Sequence, residues 1–298
     1  MTDAVSSGVS GGFRFLKGHG TENDFVLLPD PDGKVHGELS ADLVARLCDR
    51  RAGLGGDGVL RAVRTASYDD PACVAARERA AWFMDYRNAD GSTSEMCGNG
   101  IRLFARYLVD HEGVDPSAPI PIGTRAGVLT VTIDPADGPA DRAMVTVDMG
   151  RPEVLGETKV SVGQRTWAAL HVSMGNPHAV VFVDSLDDAG ALRDPPGHDP
   201  VDYPAGVNVE FVVRRGEHHV AMRVHERGSG ETRSCGTGAC AVMVAAALGD
   251  GADRETTYQV DVAGGTLHVT RTDDDRLLLT GPAVLVAEGT WTEMASRR

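Results

Sequence analysis

A segment of roughly 50 residues occurs twice in this 298-residue chain, the copies separated by 138 residues with no gap. At that one offset Met84 falls on Met222, Ser94 on Thr232, Cys97 on Cys235, Gly98 on Gly236 and Gly100 on Gly238. Further along, Gly127 falls on Gly265, Leu129 on Leu267, Val131 on Val269 and Thr132 on Thr270. The centre of the match is Cys97-Gly98-Asn99-Gly100 against Cys235-Gly236-Thr237-Gly238, each opening an apolar stretch of helical character, Ile101 to Val109 and Ala239 to Leu248. Chance does not keep a loop, a helix and a later strand in one register. Two homologous halves are therefore expected to pack about a pseudo-twofold axis, with equivalent loops meeting across a cleft. The length agrees, since it favours about two domains, each able to hold its own core.

The runs between these segments are mostly short and strand-like: Phe13 to Leu16, Phe25 to Leu28, Val59 to Val63, Trp82 to Tyr86, Val128 to Ile133, Met144 to Met149 and Ala179 to Val183 in the first part. Val209 to Val213, Val220 to Val224, Leu267 to Thr270 and Leu277 to Leu279 follow. Ser40 is placed to N-cap a helix reaching Arg51. Residues 65–80 look like an excursion, Pro116 to Pro121 like punctuation, and 184–206 like a long Asp/Pro/Gly-rich loop. Strands outnumber helices and hairpin-length gaps join several of them, which favours an antiparallel α+β fold over alternating βαβ units.

A helix start has four N–H groups without intrahelical partners and the positive end of the dipole. Each Cys-Gly-x-Gly frame thus offers an anion site, glycines that let a ligand approach the backbone, and a thiol whose pKa the helix start can depress. A carboxylate held between two such starts has its α-carbon near both sulfurs. One sulfur as thiolate can take the α-proton, and the other as thiol can return a proton to the opposite face. Amide N–H groups aimed at the carboxylate stabilise the enolate-like charge that develops. Such stereoinversion needs no metal and no organic cofactor. Two blander readings remain open for the pair: buried packing cysteines at helix starts, or a disulfide.

Other polar residues cluster around these frames. Asn88 and Glu226 each lie nine residues before their cysteine, and Arg227 follows Glu226. A Glu-Arg pair can hold a zwitterion, the carboxylate taking an ammonium and the guanidinium a carboxylate; a solvated surface pair is the alternative. Asn176 and His178 in Gly175-Asn176-Pro177-His178, Asn23 before Phe25, and Asn208 before Val209 are turn formers that also qualify as ligands.

Several functions are excluded. A formal net charge of −14 argues against nucleic acid and anionic membranes as partners. No apolar run approaches the ~20 residues of a membrane span. The first residues have neither a basic start nor an apolar core, so they read as a loose tail rather than a signal peptide. The five cysteines include no C-x-x-C pair, so free thiols in a reducing cytoplasm are expected, with Cys48, Cys73 and Cys240 as buried small hydrophobes. Leu54-Gly55-Gly56-Asp57-Gly58 lacks the Gly-Lys-Ser/Thr and strand–helix context of a phosphate loop.

Asn88-Ala89-Asp90-Gly91-Ser92 leading to Cys97-Gly98-Asn99-Gly100, then Gly175-Asn176-Pro177-His178, Val207-Asn208-Val209-Glu210-Phe211, and His225-Glu226-Arg227-Gly228 leading to Cys235-Gly236-Thr237-Gly238-Ala239-Cys240 resemble the diaminopimelate epimerase family of cofactor-independent amino-acid racemases. The resemblance covers residues 13–292. It implies two pseudo-symmetric α+β domains, each a mostly antiparallel curled sheet around a central helix, with the site in the cleft. It implies that Cys97 and Cys235 are the two bases, that Gly98-Asn99 and Gly236-Thr237 hold the reacting carboxylate, and that Asn23, Asn88, Asn176, Asn208, Glu226 and Arg227 hold the substrate, mainly its distal end. His178 and Glu226 are implied to lie near the thiols and tune them. The last strands are expected to return to the first domain, giving 13–140 with 280–298 as one unit, 141–279 as the other and 1–12 as a flexible tail. A small-molecule substrate, a homodimer and no cofactor complete the expectation.

Three departures stand out. Gly58 occupies a place where some family members carry a site-lining Gln, residues 65–80 and 1–12 look like surface additions, and His225 stands where Tyr is frequent, which reads as neutral. A rival reading is a proline- or hydroxyproline-type racemase of the same group, which has no second charged end for Asn88, Glu226 and Arg227 to bind. The other is a non-catalytic thiol redox protein or metal binder, which predicts no α-proton exchange.

Overall fold

The computed structural model describes residues 12–134 and 143–292. The expected boundary at 140/141, and all but the last residue of the expected tail, lie outside the described residues. Strands of the first half are β1 (Phe13–Gly20), β2 (Asn23–Pro29), β3 (Gly58–Arg64), β4 (Trp82–Asn88), β5 (Ile120–Thr124), β6 (Gly127–Ile133) and β7 (Met144–Asp148). Those that follow are β8 (Glu153–Val162), β9 (Arg165–Ser173), β10 (Pro177–Phe182), β11 (Gly197–His198), β12 (Asn208–Gly216), β13 (His219–Glu226), β14 (Gly230–Thr232), β15 (Thr257–Val262), β16 (Gly265–Arg271), β17 (Leu277–Pro282) and β18 (Val284–Trp291). The helices are α1 (Ala41–Cys48), α2 (Pro71–Ala76), α3 (Gly98–Glu112) and α4 (Gly236–Asp250).

Strand pairing repeats between the halves. The first half runs β1–β2 antiparallel, β2–β3 parallel, β3–β4 antiparallel, β4–β5 parallel, then β5–β6 and β6–β7 antiparallel. The second repeats this as β9–β10, β10–β12, β12–β13, β13–β15, β15–β16 and β16–β17, with the same directions. β18 pairs antiparallel with β1, the counterpart of β8 on β9. Antiparallel pairs dominate, and each parallel pair needs a crossover connection. Helix α3 is the crossover from β4 to β5, and α4 that from β13 to β15, so each Cys frame follows on the strand that ends in Asn88 or Glu226. The halves join where β7 pairs antiparallel with β17. Thr146 lies opposite Thr280, their hydroxyls 2.8 Å apart, and the register is symmetric about that pair.

The two central helices match at both ends. Each has 15 residues, a cysteine N-cap, and a left-handed glycine (Gly113, Gly251) beyond its last turn. Those glycines obey the same 138-residue offset. Both helices begin three residues before the apolar stretches and run past them, because the cap and the glycine-rich first turn carry no apolar signal. Ile101, Phe104, Tyr107 and Leu108 of α3 are fully buried, and α4 is buried nearly all round from Ala239 to Ala247. Ser40 caps α1 by accepting from the Leu43 N–H, and that helix ends at Cys48, short of Arg51.

Other expectations need correction. Pro121 lies within β5, an outer position compatible with a residue lacking an N–H, so the stretch read as punctuation is partly strand. β8 carries little sequence signal because most of its residues are exposed and polar ones interrupt its apolar positions, and β9 is a mixed polar and apolar run that the strand reading passed over. The 65–80 excursion is not merely superficial: it contains α2, capped by Asp70, and buries Cys73 against Val63 and Phe83. Arg125 ties it down by binding both Asp70 (2.9 Å) and the buried Asp85 (2.8 Å).

Candidate active site

The starts of α3 and α4 abut. A Cβ built on Gly236 lies 3.3 Å from Gly98 Cα and 3.1 Å from Leu279 Cδ2, while one on Gly98 meets Leu279 and Met149 at 3.2 Å. A side chain at Gly236 would press on the other helix start, and one at Gly98 on Leu279 and Met149. Cys97 and Cys235 are the N-caps: Gly100 N–H donates to Cys97 Sγ at 3.4 Å and Gly238 N–H to Cys235 Sγ at 3.3 Å. All five cysteines are free. The two sulfurs therefore stand at the junction of the halves, in equivalent positions, with the first-turn N–H groups of both helices beside them.

Burial outweighs the helix dipole in setting the thiols. It pushes Cys97 up to about 11, although the N–H groups of Gly100 and Asn99 act in the opposite direction. Cys235 is also raised, by burial and then by the carboxylates of Glu226 and Glu210. The expected depression by the helix start is real in direction but smaller than desolvation. Burial also raises Glu226, whose carboxylate accepts from Thr232 Oγ1.

A hydrogen-bonded chain fixes the Cys97 side. Asn23, the first residue of β2, presents Oδ1 to Asn99 Nδ2 (3.1 Å) and to Cys97 Sγ (3.5 Å), and donates from Nδ2 to Asp57 Oδ2 (2.8 Å). Asn99 Oδ1 accepts from Arg102 Nη2 (2.8 Å), and its Nδ2 also reaches Ser234 O (3.1 Å), which binds one half to the other. Arginine can only donate and a carboxylate can only accept, so the two ends settle both amide orientations. Arg102 is wholly buried and makes hydrogen bonds to Gly98 O, Thr21 Oγ1 and Pro282 O besides, with no carboxylate among them. The loop dismissed as a phosphate site thus supplies Asp57, itself held by Arg50 at 2.7 Å.

On the Cys235 side, Thr237 Oγ1 lies 3.5 Å from Cys235 Sγ and 3.4 Å from Asn176 Nδ2. His178 is fully buried and reaches neither sulfur: Nδ1 is 2.7 Å from Glu210 Oε1 and Nε2 is 3.1 Å from Asn176 Oδ1. Asn208 clamps strand ends, donating to Pro177 O (3.2 Å) and accepting from the Arg227 N–H (2.9 Å). Arg227 is exposed, and Asn88 at the end of β4 donates to Ser92 Oγ at 3.0 Å. Asn23, Asn99, Asn176 and Thr237 are thus joined directly to the cysteine frames, whereas Asn88, Asn208 and Arg227 stand at the strand ends around them.

Gly58 has a structural reason. A Cβ there would lie 2.5 Å from Arg87 O and 2.7 Å from Tyr86 Cε2. The Tyr86 ring fills that room. Burial first, and then the negative forms of Cys97, Glu226 and Asp57, raise its phenol well above the usual range, so the hydroxyl stays protonated beside the site. Sequence reasoning passed over Tyr86, Arg102, Asp57 and Glu210. Arg102 and Glu210 had a legible signal, since each is a charged residue set among apolar neighbours, Ile101 and Leu103 or Val209 and Phe211.

The family described as "Diaminopimelate epimerase" matches residues 15–155 and 170–286. The chain is 58% identical over 282 residues to a diaminopimelate epimerase of Streptomyces coelicolor, covering 92% of this chain and 94% of that protein. It is 48% identical to one of Thermobifida fusca, covering 93% and 97%. Among solved structures, a Bacillus anthracis phenazine biosynthesis protein of the PhzF family shares the fold at TM-score 0.66 and 18% identity, covering 94% of this chain and 99% of that one. A hydroxyproline epimerase of Agrobacterium vitis does so at 0.67 and 15%, covering 97% and 94%.

Proposed function

The chain belongs to the diaminopimelate epimerase family, and we propose that it interconverts LL- and meso-2,6-diaminopimelate by a two-base mechanism using Cys97 and Cys235. The carrying observation is the abutment of two cysteine-capped helix starts at Gly98 and Gly236. The α-carboxylate sits between the helix starts, on N–H groups of Gly98-Asn99 and Gly236-Thr237. The substrate's α-ammonium brings a cation to two thiols that burial keeps protonated, and an adjacent cation favours the thiolate. One sulfur then removes the α-proton while the other protonates the opposite face, and the N–H groups hold the charge that forms on the carboxylate. Glu226, whose carboxyl is raised by burial, is positioned to exchange a proton with Cys235. Asn23, Asn88, Asn176, Asn208, Glu226 and Arg227 recognise the substrate, with the exposed Arg227 suited to its distal carboxylate. The reading needs no cofactor. It extends to a cytoplasmic homodimer serving lysine and peptidoglycan synthesis.

Proton exchange in deuterated water tests it. Diaminopimelate is expected to take up deuterium at one carbon without added cofactor, and L-proline none. Exchange with proline but not diaminopimelate would transfer the chain to the rival racemase class. Cys97→Ala and Cys235→Ala are each expected to abolish inversion; near-full activity in either ends the two-base reading.

A further inference from the structure

We propose that Glu210 is a positioning residue that acts through His178 to make Asn176 a hydrogen-bond donor toward an anionic group of the substrate. The inference rests on the reading of Asn176 as a substrate contact.

Glu210 lies on β12 beside β10, in a register that sets it against Val180, two residues beyond His178 on the same face. Both Glu210 and His178 are completely cut off from solvent. The 2.7 Å bond from His178 Nδ1 occupies Glu210 Oε1, and Oε2 has no hydrogen-bond partner among the described residues. The first turn of α4 closes over the pair: a Cβ at Gly238 would lie 2.8 Å from Glu210 Oε1 and 3.2 Å from Cys235 Sγ. A carboxylate buried this way requires a compensating cation. Its one hydrogen-bonded partner able to carry a charge is His178.

The ring's other nitrogen carries that charge outward. Nε2 faces Asn176 Oδ1 at 3.1 Å. The compensating charge that the buried Glu210 carboxylate requires puts a proton on both ring nitrogens, so Nε2–H donates to the Asn176 oxygen that faces it. An amide whose oxygen is taken turns its NH2 the other way, and Asn176 Nδ2 points toward Thr237 Oγ1 at 3.4 Å, at the start of α4. A neutral ring bonded to Glu210 through Nδ1–H would leave Nε2 as an acceptor. It would draw the Asn176 NH2 inward and turn the oxygen toward the cleft. That orientation repels a carboxylate. The charge on Glu210 thus decides, through the intervening ring, whether Asn176 attracts or repels an anion.

Two measurements on the full chain test this. In nitrogen-15 histidine-labelled protein at neutral pH without substrate, His178 is expected to show two ring N–H signals, and in Glu210→Gln only one. Glu210→Gln is expected to raise the KM for diaminopimelate roughly tenfold while changing kcat less than about threefold. Asn176→Asp keeps the imidazolium but can no longer donate, so both N–H signals are expected to persist while KM rises at least as far. A single N–H in the parent protein, two in Glu210→Gln, or an unmoved KM in Glu210→Gln overturns the proposal. A fall in kcat and Tm with KM unchanged would assign Glu210 to packing and also overturn it. The spectra do not depend on turnover, so failure of the two-thiol mechanism, seen as activity in Cys97→Ala, stays distinguishable from failure of this relay.

Discussion

Polar side chains at this site are fixed by partners that can bond in only one sense. Arg102 only donates and Asp57 only accepts, so Asn99 and Asn23 between them have one orientation, and Cys97 meets the amide oxygen of Asn23 rather than its NH2. The cysteines, Asn23, Asn99 and Asn176 were legible from sequence because the frames carrying them are specific. Their supports were not, because Asp57 reaches Asn23 only through folding, across 34 residues of chain. Gly58 is a similar case: its meaning depends on the Tyr86 ring, a neighbour across the β3–β4 pair. If the ring occupies the room a side chain at 58 needs, Gly58→Ala is expected to destabilise the protein by about 1–3 kcal/mol, the usual range for overpacking. Tyr86→Ala should relieve part of that penalty, leaving the part due to Arg87 O. Denaturant melts of the two single variants and the double variant measure the coupling, and strict additivity would refute the space-filling account.

At the scale of elements, the helix start is the functional unit. Each central helix is a crossover between parallel strands, so its N-terminus emerges beside the end of the strand before it, and the two starts meet where β7 and β17 join the halves. Gly236 permits a close approach to Gly98 that a methyl group would strain, with Leu279 packed against both glycines. Gly236→Ala is expected to separate the helix ends by a few tenths of an ångström or displace Leu279, destabilising the fold by about 1–3 kcal/mol. It should lower kcat/KM by more than that destabilisation explains, because catalysis depends on both N-termini reaching one carboxylate. Kinetics at a temperature well below the melting transition separate the two effects. Unchanged kcat/KM there would mean that the close approach serves packing alone.

Symmetry organises the whole molecule, and the gapless repeat makes it readable in the amino-acid sequence itself. What the repeat does not convey is where the axis passes, because the 138-residue offset that relates the cysteines has drifted by the final strands. Thr146 pairs with Thr280, an offset four residues shorter, so the halves differ in length between the repeated segment and this pair. β18 opens on an apolar run, Val284 to Ala287, that the strand reading passed over, and it pairs with β1 at the other end of the chain, as expected of the last strands. On the axis itself, the Thr146 and Thr280 hydroxyls share one hydrogen bond of 2.8 Å, in which either can donate. Thr146→Val and Thr280→Val are each expected to destabilise by about 1 kcal/mol, because each leaves one half-buried hydroxyl without its partner. The double variant removes both polar groups and should lose no more than either single one. A double-mutant cycle in denaturant measures this directly. Additive losses would mean that the two hydroxyls are solvated independently, and that the β7–β17 pairing holds the halves together by backbone and apolar contacts alone.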